Sequence, residues 1–279
     1  MRIGLPTALF IHNTVQDAVL KLSNLGVDCI EIVLEVPHFP PEAREVEVQR
    51  ELKELLSTVD VDLSAHSPFY DLNLGSSYRE IREFAAVWIK KGIDLCSFLG
   101  IEVMTVHPGY FPAYQIPRLF RDARARFVEY LRECVRYGKE RGVKVSIENI
   151  QAPYFFCYRL DEMAELVGEV EGLGLTLDIG HAYIMKVTDG SEAPEEEIAE
   201  AVSGRLRDHL THIHLHDNRG VKDSHLAPGE GAINFKPIVD AIKAVGYSGQ
   251  IIVEAWAPER SEEAGARALA AARKLFQTG

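Results

Sequence analysis

Short apolar runs with β character alternate with longer amphipathic runs along the whole chain, and the alternation repeats eight times. The strand-like runs are RIGLP at 2–6, DCIEIVLE at 28–35, VDLSAH at 61–66, IEVMTVH at 101–107, VKVSIEN at 143–149, LGLTLDIGH (a strand and its turn) at 173–181, THIHLH at 211–216 and QIIVEAW at 250–256. Between them, spacings of 3 and 4 mark helices. The first follows an Asn13-Thr14 cap, places Val15, Ala18, Val19 and Leu22 on one face, and stops at Gly26. Others are expected near 43–57, 78–99, 117–141, 160–170, 194–208, 235–245 and 261–276. The stretch 186–195 reads as a loop inserted after strand six. Strict alternation makes the strands parallel, and eight units in 279 residues predict an α/β fold, a single-domain (β/α)8 TIM barrel over residues 1–279. An open doubly wound sheet would bring a GxGxxG turn after an early strand, and the chain has none.

The seventh strand sets the chemistry. The segment THIHLHDNRGVKDSHLAPGEG at 211–231 carries His212, His214, His216 and His225 with Asp217 and Asp223. In an extended chain His212, His214 and His216 share one face, and Thr211, Ile213 and Leu215 share the other. TIM-barrel active sites lie at the C-terminal ends of the strands. Those ends, from strand three to strand eight, read His66, His107, Glu148, Asp178, His214 and Glu254. His181 follows Asp178 by three residues, and Asp223 and His225 follow strand seven. The ordinary reading is a hydrogen-bonded polar interior. Six such strand ends in succession favour a metal centre, because each is a desolvated polar group that needs a partner. Mixed imidazole and carboxylate donors suit zinc, manganese or cobalt better than magnesium or calcium.

Other features are simpler. A net charge of −12 argues against a broad nucleic-acid-binding face. Cys29, Cys96, Cys134 and Cys157 form no CxxC pair and read as buried thiols in a reducing cytosol. No apolar run approaches a membrane span and no signal-peptide pattern opens the chain, so a cytoplasmic location without membrane contact is expected. Glu31 and Glu35 on strand two read either as groups that orient a ligand or as salt-bridge partners. Aromatic residues in the loops after the strands, among them Phe69, Tyr154, Phe155 and Trp256, read as pocket walls or as loop packing.

The segments HSPFYDLNLG, VHPG, IEN, LDIGH, HLHDN, DSHLAPGEG and VEAW, in this order over nearly the whole chain, resemble the xylose isomerase-like TIM-barrel superfamily, which includes AP endonuclease family 2. In its single-metal sugar isomerases and epimerases the ion is held by Glu, Asp, His and Glu. The resemblance implies that Glu148, Asp178, His214 and Glu254 play these parts and that His181 contacts substrate. The three-zinc site of endonuclease IV is similar over a larger set, which adds His66, His107, His181, Asp223 and His225. Departures from endonuclease IV fall at Ile179-Gly180, at His216 and at Arg219, and the loop after His66 looks one residue longer. LDIGH and DSHLAPGEGAINF are closer to the sugar-phosphate isomerase and epimerase type.

The resemblance therefore implies a divalent-metal-dependent sugar or sugar-phosphate isomerase/epimerase, with proton transfer by Glu148 and Glu254 through a metal-stabilised enediolate. His181, Arg219 and Trp256 are expected to bind substrate. The cofactor is expected to be Zn2+ or Mn2+, with Co2+ also suitable and two or three ions in play, because one ion cannot use nine donors. The alternative is an endonuclease IV-type AP endonuclease that hydrolyses DNA at abasic sites. Against it, the loops at 7–13 and 36–44 offer only Arg44 as a cation, where duplex binding draws much of its affinity from phosphate contacts. Phe10, His38, Phe39, Phe69 and Trp256 are the expected walls for a small ketose or sugar phosphate. Assembly into a homo-oligomer is left open.

Overall fold

The computed structural model describes residues 1–39 and 46–277. Its strands are β1 (Arg2–Pro6), β2 (Cys29–Val33), β3 (Asp62–His66), β4 (Val103–Val106), β5 (Lys144–Glu148), β6 (Gly174–Asp178), β7 (Leu210–Leu215) and β8 (Gln250–Val253). They pair in parallel, in sequence order, and β8 returns to β1 to close the barrel. The helices are α1 (Val15–Asn24), α2 (Val46–Leu56), α3 (Arg79–Leu99), α4 (Pro117–Lys139), α5 (Leu160–Glu169), α6 (Ile179–Thr188), α7 (Pro194–Ser203), α8 (Phe235–Ala244) and α9 (Ser261–Gln277). This is the (β/α)8 barrel read from the alternation. Of the loop at 36–44, Arg44 lies outside the described residues, as does the expected start of the second helix.

Local chemistry accounts for the element ends. Thr14 caps α1 by accepting a hydrogen bond from the Asp17 amide at 3.1 Å. The α1 face carrying Val15, Ala18, Val19 and Leu22 is buried against the barrel. Gly100 ends α3 in the left-handed region with φ 80°.

One stretch departs from the sequence reading. Residues 179–181 do not form a turn, and of the expected loop 186–195 only 189–193 lies outside helices. Helix α6 begins directly at the end of β6, and its N-cap is Asp178, whose Oδ1 accepts from the His181 amide at 2.7 Å. An acid expected only as a metal ligand thus also starts a helix, which the apolar run IGHAYIM hides because it is buried on nearly all sides. The acidic helix α7 is also shorter than expected, ending at Ser203 ahead of Gly204.

Strand alternation sorts the side chains. Ile30, Ile32, Ala65, Met104, Val106, Val145, Ile147, Leu175, Leu177, Ile213 and Leu215 are buried in the hydrophobic core that the helices cover. The alternate positions Glu31, Ser64, His66, Thr105, Ser146, Glu148, Thr176, Asp178, His212 and His214 are buried and polar, and they fill the barrel interior. Such an interior is tolerable only if its groups bond one another. Thr176 joins Ser146 at 2.8 Å and Thr105 at 2.9 Å, forming a hydroxyl chain inside the barrel.

Closure leaves little room between β1 and β2. A Cβ at Gly4 would run into the backbone carbonyl of Cys29. Gly4→Ala is therefore expected to destabilise the fold by about 2–3 kcal/mol or more, as overpacking against backbone does. Equilibrium denaturation with an unchanged midpoint would contradict this packing.

Candidate metal centre

Glu148, at the end of β5, is the hub. Its Oε2 lies 3.3 Å from His66 Nε2 and 3.3 Å from His107 Nε2. Its Oε1 lies 3.1 Å from His214 Nδ1, and that nitrogen lies 3.4 Å from Glu254 Oε1. On the other side of the mouth, His181 Nε2 and His225 Nε2 each approach Asp223 Oδ2 at 3.2 Å. His216 Nε2 lies 3.2 Å from Asp178 Oδ1 and 3.5 Å from Asp223 Oδ1. Donor atoms thus gather in three groups at the mouth: His66, His107 and Glu148; Glu148, Asp178, His214 and Glu254; and His181, His216, Asp223 and His225. All nine residues expected to reach a metal fall within these groups.

The tautomers show what the groups lack. His66 Nδ1 donates to the Ser67 carbonyl at 2.9 Å, His181 Nδ1 to that of Asn149 at 2.9 Å, and His225 Nδ1 to that of Glu254 at 2.8 Å. Carbonyls only accept, so in each neutral ring Nε2 carries a lone pair aimed at a carboxylate oxygen. Lone pair facing lone pair needs a cation between them, either a proton or a metal ion. Asp178 Oδ2, Asp223 Oδ1 and His216 Nε2 are buried without a hydrogen-bond partner. The donor set therefore fits a divalent ion of zinc, manganese or cobalt type.

Residues behind the donors hold them in place. Glu31 Oε2 accepts from His212 Nε2 at 3.1 Å and from His214 Nε2 at 3.2 Å, which leaves His214 Nδ1 free to face Glu148 and Glu254. Asn149 braces β5 against β6 by bonding both the amide and the carbonyl of Asp178 at 2.9 Å. Glu35 accepts from the amides of Phe69 and Tyr70 at 2.9 and 3.0 Å, fixing the loop after β3. Asp217 is no donor to the centre: its carboxylate accepts from the amides of Asn218, Gly229, Gly231 and Ile233 at 2.8–3.2 Å. The sequence reading left Glu31 open between two roles and did not place His212 and His216 among the donors. The alternation along THIHLH at 211–216 already put His212, His214 and His216 on one face.

Burial pushes these groups toward their neutral forms, and near neighbours decide each outcome. For Glu148 the field of His214 and hydrogen bonds from His107, His214 and His66 overcome burial and hold the carboxyl well below the usual range. For Glu254 burial prevails over His214 and His225, and the carboxyl is raised. His181 is raised to about 10, because Asp178 and Asp223 outweigh burial. His225 is raised to about 9 against burial by its bond to Asp223 and the charge of Glu254. For His107 burial outweighs Glu148, and the ring is lowered.

A cavity of about 430 Å³ opens over the centre, lined by His66, His107, Glu148, His181, Asp223, His225 and Glu254, with apolar walls that include Phe69, Tyr154, Phe155 and Trp256. Two expectations about substrate contacts fail here. Arg219 is exposed, its guanidinium lies 3.4 Å from the Glu230 carbonyl, and it does not line the cavity. It follows the Asp217 turn, which directs the chain away from the mouth. Phe10 and Phe39 are core residues, and His38 is buried against the Phe10 carbonyl, so none of the three is a wall.

The family model for xylose isomerase-like TIM barrels matches residues 19–275. The chain belongs to this family. An uncharacterized protein of Methanocaldococcus jannaschii is 31% identical over 265 residues, covering 91% of this chain and 83% of its own. Fructoselysine 3-epimerase of Shigella flexneri is 25% identical over 267 residues, 91% of this chain and 90% of its own. A probable endonuclease 4 of Thermotoga petrophila is 29% identical over 177 residues, 59% of this chain and 58% of its own. The crystal structure of a D-tagatose 3-epimerase-like protein superposes with a TM-score of 0.84 at 26% identity, covering 99% of this chain and 97% of that one. Among the described residues of this family member, no helix is long and apolar enough to cross a membrane.

Two outcomes follow for this xylose isomerase-like barrel. Glu31→Gln replaces the anion behind His214 and is expected to weaken divalent-metal affinity about 10–100-fold with the fold intact. Calorimetric titration giving the wild-type affinity would refute that role. In the metal-stripped protein, the protonated forms of His181 and His225 contribute stability in full below their unfolded pKa of about 6.5. That contribution is lost as pH rises through about 9 and about 10. The melting temperature of stripped protein should therefore fall between neutral pH and about 10, and more steeply than that of zinc-loaded protein. Parallel curves would contradict this.

Proposed function

We propose that the protein is a divalent-metal-dependent isomerase or epimerase of a small hydroxy-carbonyl sugar, with Glu148 and Glu254 moving the proton. One observation carries the reading: the donor atoms of Glu148, Asp178, His214 and Glu254, at the ends of four consecutive strands, lie within 4.8 Å of one another, and Glu148 and Glu254 among them line a cavity of small-molecule size. Family membership and the full-length likeness to a fructoselysine 3-epimerase support it. These four residues would hold the ion. When bound, it supplies positive charge to the substrate oxygen that becomes negative as the neighbouring C–H proton leaves.

The chain's own groups do the rest. A carboxylate removes the carbon-bound proton and the other carboxyl group returns one to the opposite face; Glu148 at the end of β5 and Glu254 just after β8 both line the cavity and would flank the substrate in these roles. His107 and His181 border the cavity and offer ring nitrogens to hydroxyl groups. Phe69, Tyr154, Phe155 and Trp256 keep water from the reacting carbon. No Lys or Arg is among the described residues that line the cavity, which favours an uncharged sugar over a sugar phosphate.

A second reading, phosphodiester hydrolysis at abasic DNA, is favoured by one observation: the three donor groups share the mouth, and Glu148 belongs to two of them. The shortage of cations among the described residues that line the cavity opposes it, as does the shorter stretch matched to the endonuclease relative.

The expected result is metal-dependent exchange of solvent deuterium into a small ketose, reduced at least about 100-fold by Glu148→Gln and by Glu254→Gln. Circular dichroism should stay unchanged in both variants. Turnover like that of the wild type in either variant would remove the two-carboxylate mechanism. Efficient metal-dependent incision of a duplex 5′ to an abasic site, at physiological salt, would put the second reading first.

A further inference from the structure

We infer that the exposed face of α3 is a contact with a second copy of this chain, the two α3 helices packing antiparallel about a two-fold axis. The contact does not depend on the proposed reaction.

The face is apolar where a solvated helix should be polar. Ile81, Phe84 and Val87 are 41, 54 and 50% exposed, with half-buried Trp88 beside them. Among the described residues no other helix exposes as many large apolar side chains. Single apolar residues on a surface need no explanation, whereas a contiguous patch marks an interaction site. Helix α2 does not flank this part of α3. It has 11 residues against the 21 of α3. Lys53 near the end of α2 lies 4.3 Å from the centre of the Phe98 ring near the end of α3, so the two C-terminal ends are level. The first turns of α3 therefore reach about 15 Å beyond Val46 at the start of α2.

Spacing and charge decide the partner. Glu80, Phe84, Val87 and Lys91 follow one another at intervals of 4, 3 and 4 residues, the seam along which two helices pack, and all four are exposed. About a two-fold axis between Phe84 and Val87, the antiparallel seam matches itself. Phe84 meets Val87 of the second copy and Glu80 meets Lys91 of the second copy, each contact occurring twice. A parallel pairing would set Glu80 against Glu80 and Lys91 against Lys91. Flanking charges are already committed, Glu83 to Arg79 at 2.7 Å and Lys90 to Glu133 at 3.2 Å. Among the described residues neither Glu80 nor Lys91 is in an ion pair. The Lys91 ammonium lies 4.4 Å over the Trp88 ring, and that ring lies 5.8 Å from Phe84, so the cation stands at the edge of the apolar patch.

The area suits an association of moderate strength. At their exposures Ile81, Phe84 and Val87 present on the order of 200 Å² per chain. That is about a third of the ~600 Å² per chain that the smallest specific interfaces bury, as expected of an apolar centre within a polar rim.

The test is sedimentation velocity of the full chain over a concentration series. The wild type is expected to be a dimer at about 100 μM chain, with a micromolar Kd. Phe84→Glu should weaken the dimer at least about 30-fold, as loss of a central anchor does. Glu80→Lys should weaken it about tenfold by bringing lysines face to face, and Glu80→Lys combined with Lys91→Glu should restore the wild-type Kd within about threefold. Circular dichroism should be unchanged in every variant, since each position is exposed. A wild type that stays monomeric at about 100 μM rules the contact out. So does a Kd untouched by Phe84→Glu, or a double variant as weak as Glu80→Lys alone. Monomeric protein that floats with phosphatidylcholine vesicles, and ceases to in Phe84→Glu, would assign the face to a lipid surface instead. None of these readouts needs turnover, so failure of the proposed reaction leaves each of them intact.

Discussion

A carboxylate buried as completely as Glu148 stays ionised only if positive or hydrogen-donating groups surround it. Here three imidazoles do so, from β3, from the end of β4 and from β7. Much of the mouth is arranged by that requirement. His214 can face Glu148 through Nδ1 because Glu31 holds its other nitrogen, and Glu31 is itself buried in the barrel and held ionised by His214 and His212 despite its burial. The charges form one connected set, so changing one member alters the balance of the others.

This arrangement separates the tasks of the two strand faces. Outward side chains are apolar and bind the helices to the sheet, which supplies the hydrophobic stabilisation. Inward side chains are polar and bond one another, and partnerless buried atoms remain both within the barrel, at Glu31 Oε1 and Ser64 Oγ, and toward the C-terminal mouth, at Asp178 Oδ2, Asp223 Oδ1 and His216 Nε2. Those at the mouth lie in residues of the groups that could hold a metal ion.

How far the sequence could be read depended on the range of the interaction. Strand–helix alternation is local, and it predicted the closed barrel with strand bounds within a few residues. Pattern also brought the six strand-end residues His66, His107, Glu148, Asp178, His214 and Glu254 to one mouth, because in a parallel barrel the strand ends must meet at one face, while the family resemblance implied His181, Asp223 and His225 beside them. Pattern failed where neighbours in space decide. Helix α6 was hidden by its burial, Arg219 was turned outward by the Asp217 loop, and Phe10 and Phe39 were taken into the core.

The sequence by itself thus determined the architecture, the face on which chemistry gathers and the residue types found there, since these follow from periodicities within single elements. Only the tertiary structure decided which donors stand together, that Glu31 works through His214, and that Gly180 makes room for His216. Those relations join residues from different elements across a few ångströms. No spacing along the chain encodes which ring nitrogen is held by a carbonyl and which is left to face a carboxylate.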